Sequence, residues 1–93
     1  MKNWYVYIAE CGDGTYYCGI TTDVVRRFAQ HNKGIGAKYT RGRAPIRCRV
    51  CVRVGLKSRA LKLEYACKGQ PKNKKIEYLL NSGYEIIIDD RID

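Results

Sequence analysis

The chain of 93 residues holds one histidine, one tryptophan, one methionine, one phenylalanine and two prolines. No run of about 18 apolar residues occurs, which excludes a single membrane-spanning helix. The opening "MKNWYVYIAECGDG" carries an apolar stretch too short and too soon broken for a signal peptide. A soluble, cytoplasmic protein is therefore expected. With one histidine and no second Cys-x-x-Cys, "CRVC" (Cys48 to Cys51) lacks partners at zinc-site spacing. The five cysteines are odd in number and form no recognisable framework, so reduced structural thiols are expected. Acid is scarce where it matters most. Of 18 lysines and arginines, 16 lie between Arg26 and Lys75, and Glu64 is the one acidic residue in that span. Such asymmetry points to a polyanion-binding face, with nucleic acid the leading partner.

What is abundant organises the chain. "NWYVYIAE" is aromatic and β-branched and reads as a strand. "CGDGT" is turn chemistry, with Gly12 and Gly14 able to take positive φ, and "YYCGI" returns as the second strand of a hairpin. A three-residue loop at 12–14 sets Ala9 opposite Tyr17 and puts Tyr5, Tyr7 and Tyr17 on one face. Thr21, Thr22 and Asp23 are N-cap types before "VVRRFAQHN", a helix closed by Asn32 and Gly34. Val24, Val25, Phe28 and Ala29 are expected to form its buried face, with Arg27 and His31 stacked four apart at the edge.

"KGIGAKYTRGRAP" reads as a basic glycine-rich loop. In "IRCRVCVRVG", Ile46, Cys48, Val50, Val52 and Val54 alternate with Arg47, Arg49, Cys51 and Arg53, as in a half-buried strand. Ser58 can cap a second helix, "RALKLEYACK", on which Glu64 shares a face with Ala60, Leu61 and Cys67. "PKNKKIEYLLNSG" fits a third helix between Pro71 and Gly83, and "YEIIIDD" is either a last short strand or a tail. The order ββαβαα, with a further strand left open, predicts an α+β fold: a small, mainly antiparallel sheet with flanking helices. One domain over 1–93 is expected, its core at about 4–80 and an acidic segment at 81–93.

Each polar residue has an ordinary explanation. Glu64 can pair with Lys68 at i+4, and Arg27 with Asp23 four residues earlier, a surface pair of about 0.3–0.5 kcal/mol. A lone histidine near a helix end is commonly a cap or packing residue. Taken in order, however, the pieces resemble the GIY-YIG nuclease family over roughly residues 4–80. "VYI" (residues 6–8) matches the first element loosely, without its glycine. "YCG" (17–19) matches the second, with Cys18 in place of the middle isoleucine. Arg27 and His31 in "RRFAQH" and Glu64 in "SRALKLEYACK" follow in the family's order. Tyr5 shares the strand parity of Tyr7, so either can be the first tyrosine.

The resemblance implies metal-dependent hydrolysis of phosphodiesters in DNA. Glu64 would hold one Mg²⁺ or Mn²⁺, and Arg27 would meet the scissile phosphate. Tyr7 and Tyr17 would orient or deprotonate the attacking water, with His31 relaying a proton. Gly19 would admit close backbone approach, and Lys38, Tyr39, Arg41 and Arg43 would contact nucleic acid. No sequence-reading module accompanies them, so selectivity is expected from DNA structure or a protein partner. The alternative is a non-catalytic module that binds nucleic acid through the same basic face, RNA included.

Overall fold

The computed structural model describes residues 2–91. Two strands, β1 (Trp4–Glu10) and β2 (Tyr16–Thr21), lead into α1 (Val24–Asn32). A short 3₁₀ turn at Lys38–Thr40 precedes β3 (Arg47–Gly55), then α2 (Lys57–Lys68), α3 (Lys72–Leu80) and β4 (Glu85–Asp89). The strands form one antiparallel sheet in the order β2-β1-β3-β4. This is the expected α+β fold, and the segment left open between strand and tail is strand. The acidic C-terminal stretch runs on into 92–93, outside the described residues. No helix among the described residues is long and apolar enough to cross a membrane.

Hairpin register follows from turn length. Cys11 N–H donates to the Thr15 carbonyl at 2.8 Å, Ala9 opposes Tyr17, and residues 12–14 are the loop. Gly14 alone of the two loop glycines has positive φ, +85°. Gly12 is needed for space instead, since a Cβ there would lie 2.6 Å from the Ala44 carbonyl oxygen.

Both faces of the sheet are covered, so β1 is buried on both sides. Val6 and Ile8 join Cys18, Val50, Val52, Ala60, Cys67 and Leu79 under α2 and α3. Tyr7 and Ala9 join Cys11, Ile46 and Cys51 on the opposite face, against Val24 and Phe28 of α1. Burying each such aliphatic side chain stabilises the fold by about 1.5–3 kcal/mol before entropy is counted.

Two expectations change here. β3 is not half-buried: Arg49 through Val52 are all buried. Nor does it alternate cleanly, because Ile8 pairs with Val50 while Ala9 pairs with Cys48, leaving Arg49 as an extra residue. That bulge turns Ile46 and Cys48 toward α1, while Val50 and Val52 face α2 and α3. Arg49 is held there by Glu10 at 2.9 Å and by the Asp90 carbonyl at 2.7 Å.

The helix starts also differ in detail. Asp23 caps α1, its carboxylate accepting from Arg26 N–H at 3.0 Å. Leu56, rather than Ser58, occupies the N-cap of α2, and Pro71 occupies that of α3.

Candidate active site

Helix α1 turns an unexpected face inward. Val25 is 83% exposed and Ala29 is exposed, whereas His31 is fully buried and Val24, Arg27 and Phe28 are half-buried. The packed stripe is thus 24, 27, 28 and 31, the i, i+3, i+4, i+7 spacing of one helical face. Two of its four members are polar, and both are satisfied by distant groups.

His31 Nε2 lies 2.8 Å from the Tyr7 hydroxyl, and its Nδ1 lies 2.9 Å from Thr40 Oγ1. Thr40 donates its hydroxyl proton to the Ala37 carbonyl at 2.9 Å. Having one proton to give, Thr40 must accept from His31, which fixes the proton on Nδ1. Nε2 is then bare and accepts from the Tyr7 hydroxyl. Tyr7 in turn accepts from Arg27 Nε at 3.4 Å. A directed chain therefore runs from Arg27 through Tyr7, His31 and Thr40 to the Ala37 carbonyl.

Glycines make room for this chain. Tyr7 stands opposite Gly19 on the neighbouring strand, and a Cβ at Gly19 would overlap the Tyr7 hydroxyl. At Gly36 a Cβ would lie 2.5 Å from His31 Nδ1. Tyr7, rather than Tyr5, is the tyrosine at the centre; Tyr5 lies under Arg53, 5.9 Å from its guanidinium.

Electrostatics keep the inner chain neutral. Burial pushes the Tyr7 phenol up to about 12, with the charges of Tyr17 and Glu64 adding and Arg27 opposing. Burial, helped by the Arg27 charge, pushes His31 down to about 4. His31 is thus not the ready base near pH 7 that an unperturbed pKa of about 6.5 suggests. Both Tyr7 and His31 are 0% exposed, so neither presents a surface to solvent.

Tyr17 forms the outer layer. Its ring meets His31 edge-on at 5.7 Å and stacks on Tyr39 at 5.7 Å and 24°. Arg43 lies 4.3 Å over Tyr39, and Lys68 of α2 lies 5.8 Å from the Tyr17 ring centre. Arg27 interacts with the Tyr17 hydroxyl as well as with Tyr7. Glu64 reaches the same rim from the other face of the sheet, through Lys68 at 3.6 Å.

The structure therefore brings together Tyr7, Tyr17, Arg27 and His31, while Glu64 is linked to this cluster only through Lys68, which pairs with it and lies by the Tyr17 ring. The ordinary pair Glu64–Lys68 is present, while Arg27 turns to Tyr7 and Gln30. Thr40 was not singled out from sequence; the signal was its place in "GAKYT", after a glycine that His31 crowds.

The basic surface is more selective than the sequence count implies. Arg47 and Arg49 pair with Glu10, Arg53 with Glu85, and Arg43 with Asp13. Lys38 and Arg41 make no ion pair among the described residues, and Tyr39 is 41% exposed. The loop carrying them is anchored, because Asn32 brackets Ile46 through its N–H (2.7 Å) and carbonyl (2.9 Å).

Among the described residues no three His, Cys, Asp or Glu side chains gather as a metal cage. Glu64, whose side chain is 17% exposed, offers carboxylate oxygens beside water-accessible space. A single carboxylate completed by water and substrate oxygens suits a hard divalent ion such as Mg²⁺ or Mn²⁺. Releasing Lys68 from Glu64 costs only about 0.3–0.5 kcal/mol, so the pair is no barrier to such an ion.

Tyrosines on two adjacent strands and an arginine from the first helix form the centre of this small α+β fold. The model of the GIY-YIG catalytic domain matches residues 3–77, and the chain belongs to that family. Proteins similar to it include several UPF0213 proteins. One from Cupriavidus pinatubonensis is 52% identical over 83% of this chain and 86% of its own. Another, from Halobacterium salinarum, is 52% identical over 76% of this chain and 92% of its own. The solution NMR structure of a UPF0213 protein from Bacillus halodurans superposes with a TM-score of 0.53 at 46% identity, covering 87% of each chain. That of a protein from E. faecalis gives 0.62 at 38% identity, covering 88% of each.

Proposed function

We propose that this chain is a divalent-metal-dependent endonuclease that hydrolyses phosphodiester bonds of DNA. The observation that carries the reading is the two-layer centre. Arg27 and Tyr17 are half-exposed at one rim, the Tyr7–His31–Thr40 chain holds Arg27 from behind, and Glu64 is connected to this rim through Lys68.

The roles follow from exposure. Tyr17, with accessible surface, orients the attacking water at phosphorus. Arg27 donates to the scissile phosphate and offsets the charge that grows as the pentacovalent state forms. Tyr7 is too buried to touch that water; it fixes the Arg27 side chain by accepting from Nε. His31 holds the Tyr7 proton in place and, as a neutral ring, adds no charge to repel Arg27. Glu64 would hold Mg²⁺ or Mn²⁺, which when bound supplies Lewis acidity at the phosphate. Lys38, Tyr39, Arg41 and Arg43 extend the rim as phosphate and base contacts, with Tyr39 pre-stacked on Tyr17. A partner protein would supply substrate selectivity, and a cytoplasmic location fits DNA as substrate.

The second reading is a nucleic-acid-binding module without turnover, in which Glu64 serves only as the ion-pair partner of Lys68. The two separate on linear, branched and single-stranded DNA with Mg²⁺ or Mn²⁺, with RNA alongside. An enzyme cleaves at least one substrate and loses cleavage in Arg27→Ala. A binding module retains DNA in a salt-dependent manner and cuts nothing. Cutting that persists undiminished in Arg27→Ala refutes the assigned role.

A further inference from the structure

Cys18 and Cys67 belong to neither the hydrogen-bond chain nor the charged rim, yet their sulfurs lie 3.4 Å apart. They are 49 positions apart in sequence, Cys18 on β2 and Cys67 on α2. All five cysteines are free thiols. A disulfide needs the two sulfurs to close by about 1.4 Å, to an S–S bond of about 2.05 Å.

The two sulfurs share one contact, and the positive charges of Lys75 and Lys68 favour thiolate character at Cys18. Lys75 Nζ is fixed nearby by the carbonyls of Cys67 (3.1 Å) and Lys68 (2.8 Å). A nucleophile and a resolving thiol are thus already in contact. Burial pushes the Cys48 and Cys51 thiols up to about 12.

We propose that Cys18 and Cys67 form a reversible disulfide that clamps α2 to β2 when peroxide is present. Their exposure, 3% and 0%, shuts out bulky oxidants and leaves a water-sized one as the co-reactant. The Cys18 sulfur attacks hydrogen peroxide, an S–O bond forms, the O–O bond breaks, and hydroxide leaves and is protonated to water. Cys67 then loses its proton and attacks the Cys18 sulfur; the S–S bond forms, the S–O bond breaks, and a second water leaves. Two thiols have lost two electrons, and one peroxide has become two waters. A dithiol reductant reverses the step.

The position of the bond gives it a consequence. Cys18 lies between Tyr17 and Gly19, and Cys67 lies one helical turn beyond Glu64. The clamp would fix the spacing between the strand that carries the tyrosine and the helix that carries the carboxylate. The bond itself does not depend on the nuclease reading, because it is detected with no substrate present.

The test is mass spectrometry of the intact protein after brief exposure to hydrogen peroxide. The expected result is a loss of about 2 Da, the two thiol hydrogens. A Cys18–Cys67 cross-linked peptide should appear, and dithiothreitol should reverse both changes. The loss should be absent in Cys18→Ser and in Cys67→Ser; if either fails to fold, peptide mapping of the wild-type protein decides alone. Closing so long a loop should raise the melting temperature of the oxidised form by roughly 10 °C. Oxidation confined to other cysteines, bonds between molecules, or a melting temperature that does not rise would overturn the proposal.

Discussion

Replacing Thr40 by valine removes one hydroxyl from the inner chain while keeping its shape. Thr40 is 0% exposed, so no water can take the place of that oxygen. The Ala37 carbonyl keeps a partner, the Thr40 backbone N–H at 3.1 Å. His31 Nδ1–H, now bonded at 2.9 Å, is left with none. An orphaned buried donor costs about 1–3 kcal/mol. The ring can escape only by moving its proton to Nε2, which then faces the proton of Tyr7. Stability of about 0.05–0.15 kcal/mol per residue gives a chain of this length roughly 5–14 kcal/mol in all. The loss is therefore a sizeable fraction, and with a urea slope of about 1–2 kcal/mol per molar it should lower the unfolding midpoint by about 0.5–3 M. Thr40→Ser, which keeps the hydroxyl, should lose less than half as much. Nitrogen NMR of His31 should report protonated Nδ1 in the wild type and its loss in Thr40→Val. A valine variant within about 0.5 kcal/mol of wild type, with the tautomer unchanged, would refute the chain.

Gly19→Ala should destabilise by about 1–3 kcal/mol through overpacking, and should break the Tyr7–His31 bond. The expected signature is cleavage falling further than DNA affinity, measured on one preparation. For pH, His31 has a folded pKa near 4 against about 6.5 unfolded, so between those values the unfolded chain binds more protons. Stability is then complete above about 6.5, falls as pH drops toward 4, and changes no further through this group below that. The total is about 3 kcal/mol, and His31→Gln should flatten that part of a urea-midpoint profile. Lys38→Ala and Arg41→Ala should each reduce the salt slope of duplex-DNA binding by about 0.9, as one phosphate contact is lost. Unchanged slopes in both would remove the loop from the interface.

The hairpin was legible because its turn chemistry fixes the loop at three residues, and that sets Tyr7 and Tyr17 on one face. The limits of α1 followed from Asp23 at one end and the asparagine and glycine at the other. Its inward face did not. Sequence favours Val25 and Ala29 over Arg27 and His31, and only the hydroxyls of Tyr7 and Thr40 make the polar choice affordable. Neither partner is adjacent on the helix, so no local pattern announces them. The bulge at Arg49 was hidden for a similar reason: it answers to Glu10 and the Asp90 carbonyl, from opposite ends of the chain. Glu64 was legible as a carboxylate on the inner side of α2, but the position of its partner Lys68 by the Tyr17 ring depends on α2 packing against β2. The charge count overstated the binding face, since the arginines of β3 meet acids that lie far off in sequence.

Cleavage and binding measured together on Glu64→Gln test the central claim most directly. This variant keeps the shape of α2 and removes the carboxylate charge. The account predicts that wild-type protein with Mg²⁺ or Mn²⁺ cuts DNA, and that Glu64→Gln binds the same DNA about as tightly without cutting it. Equal cutting by both proteins would contradict a reaction centre completed by Glu64.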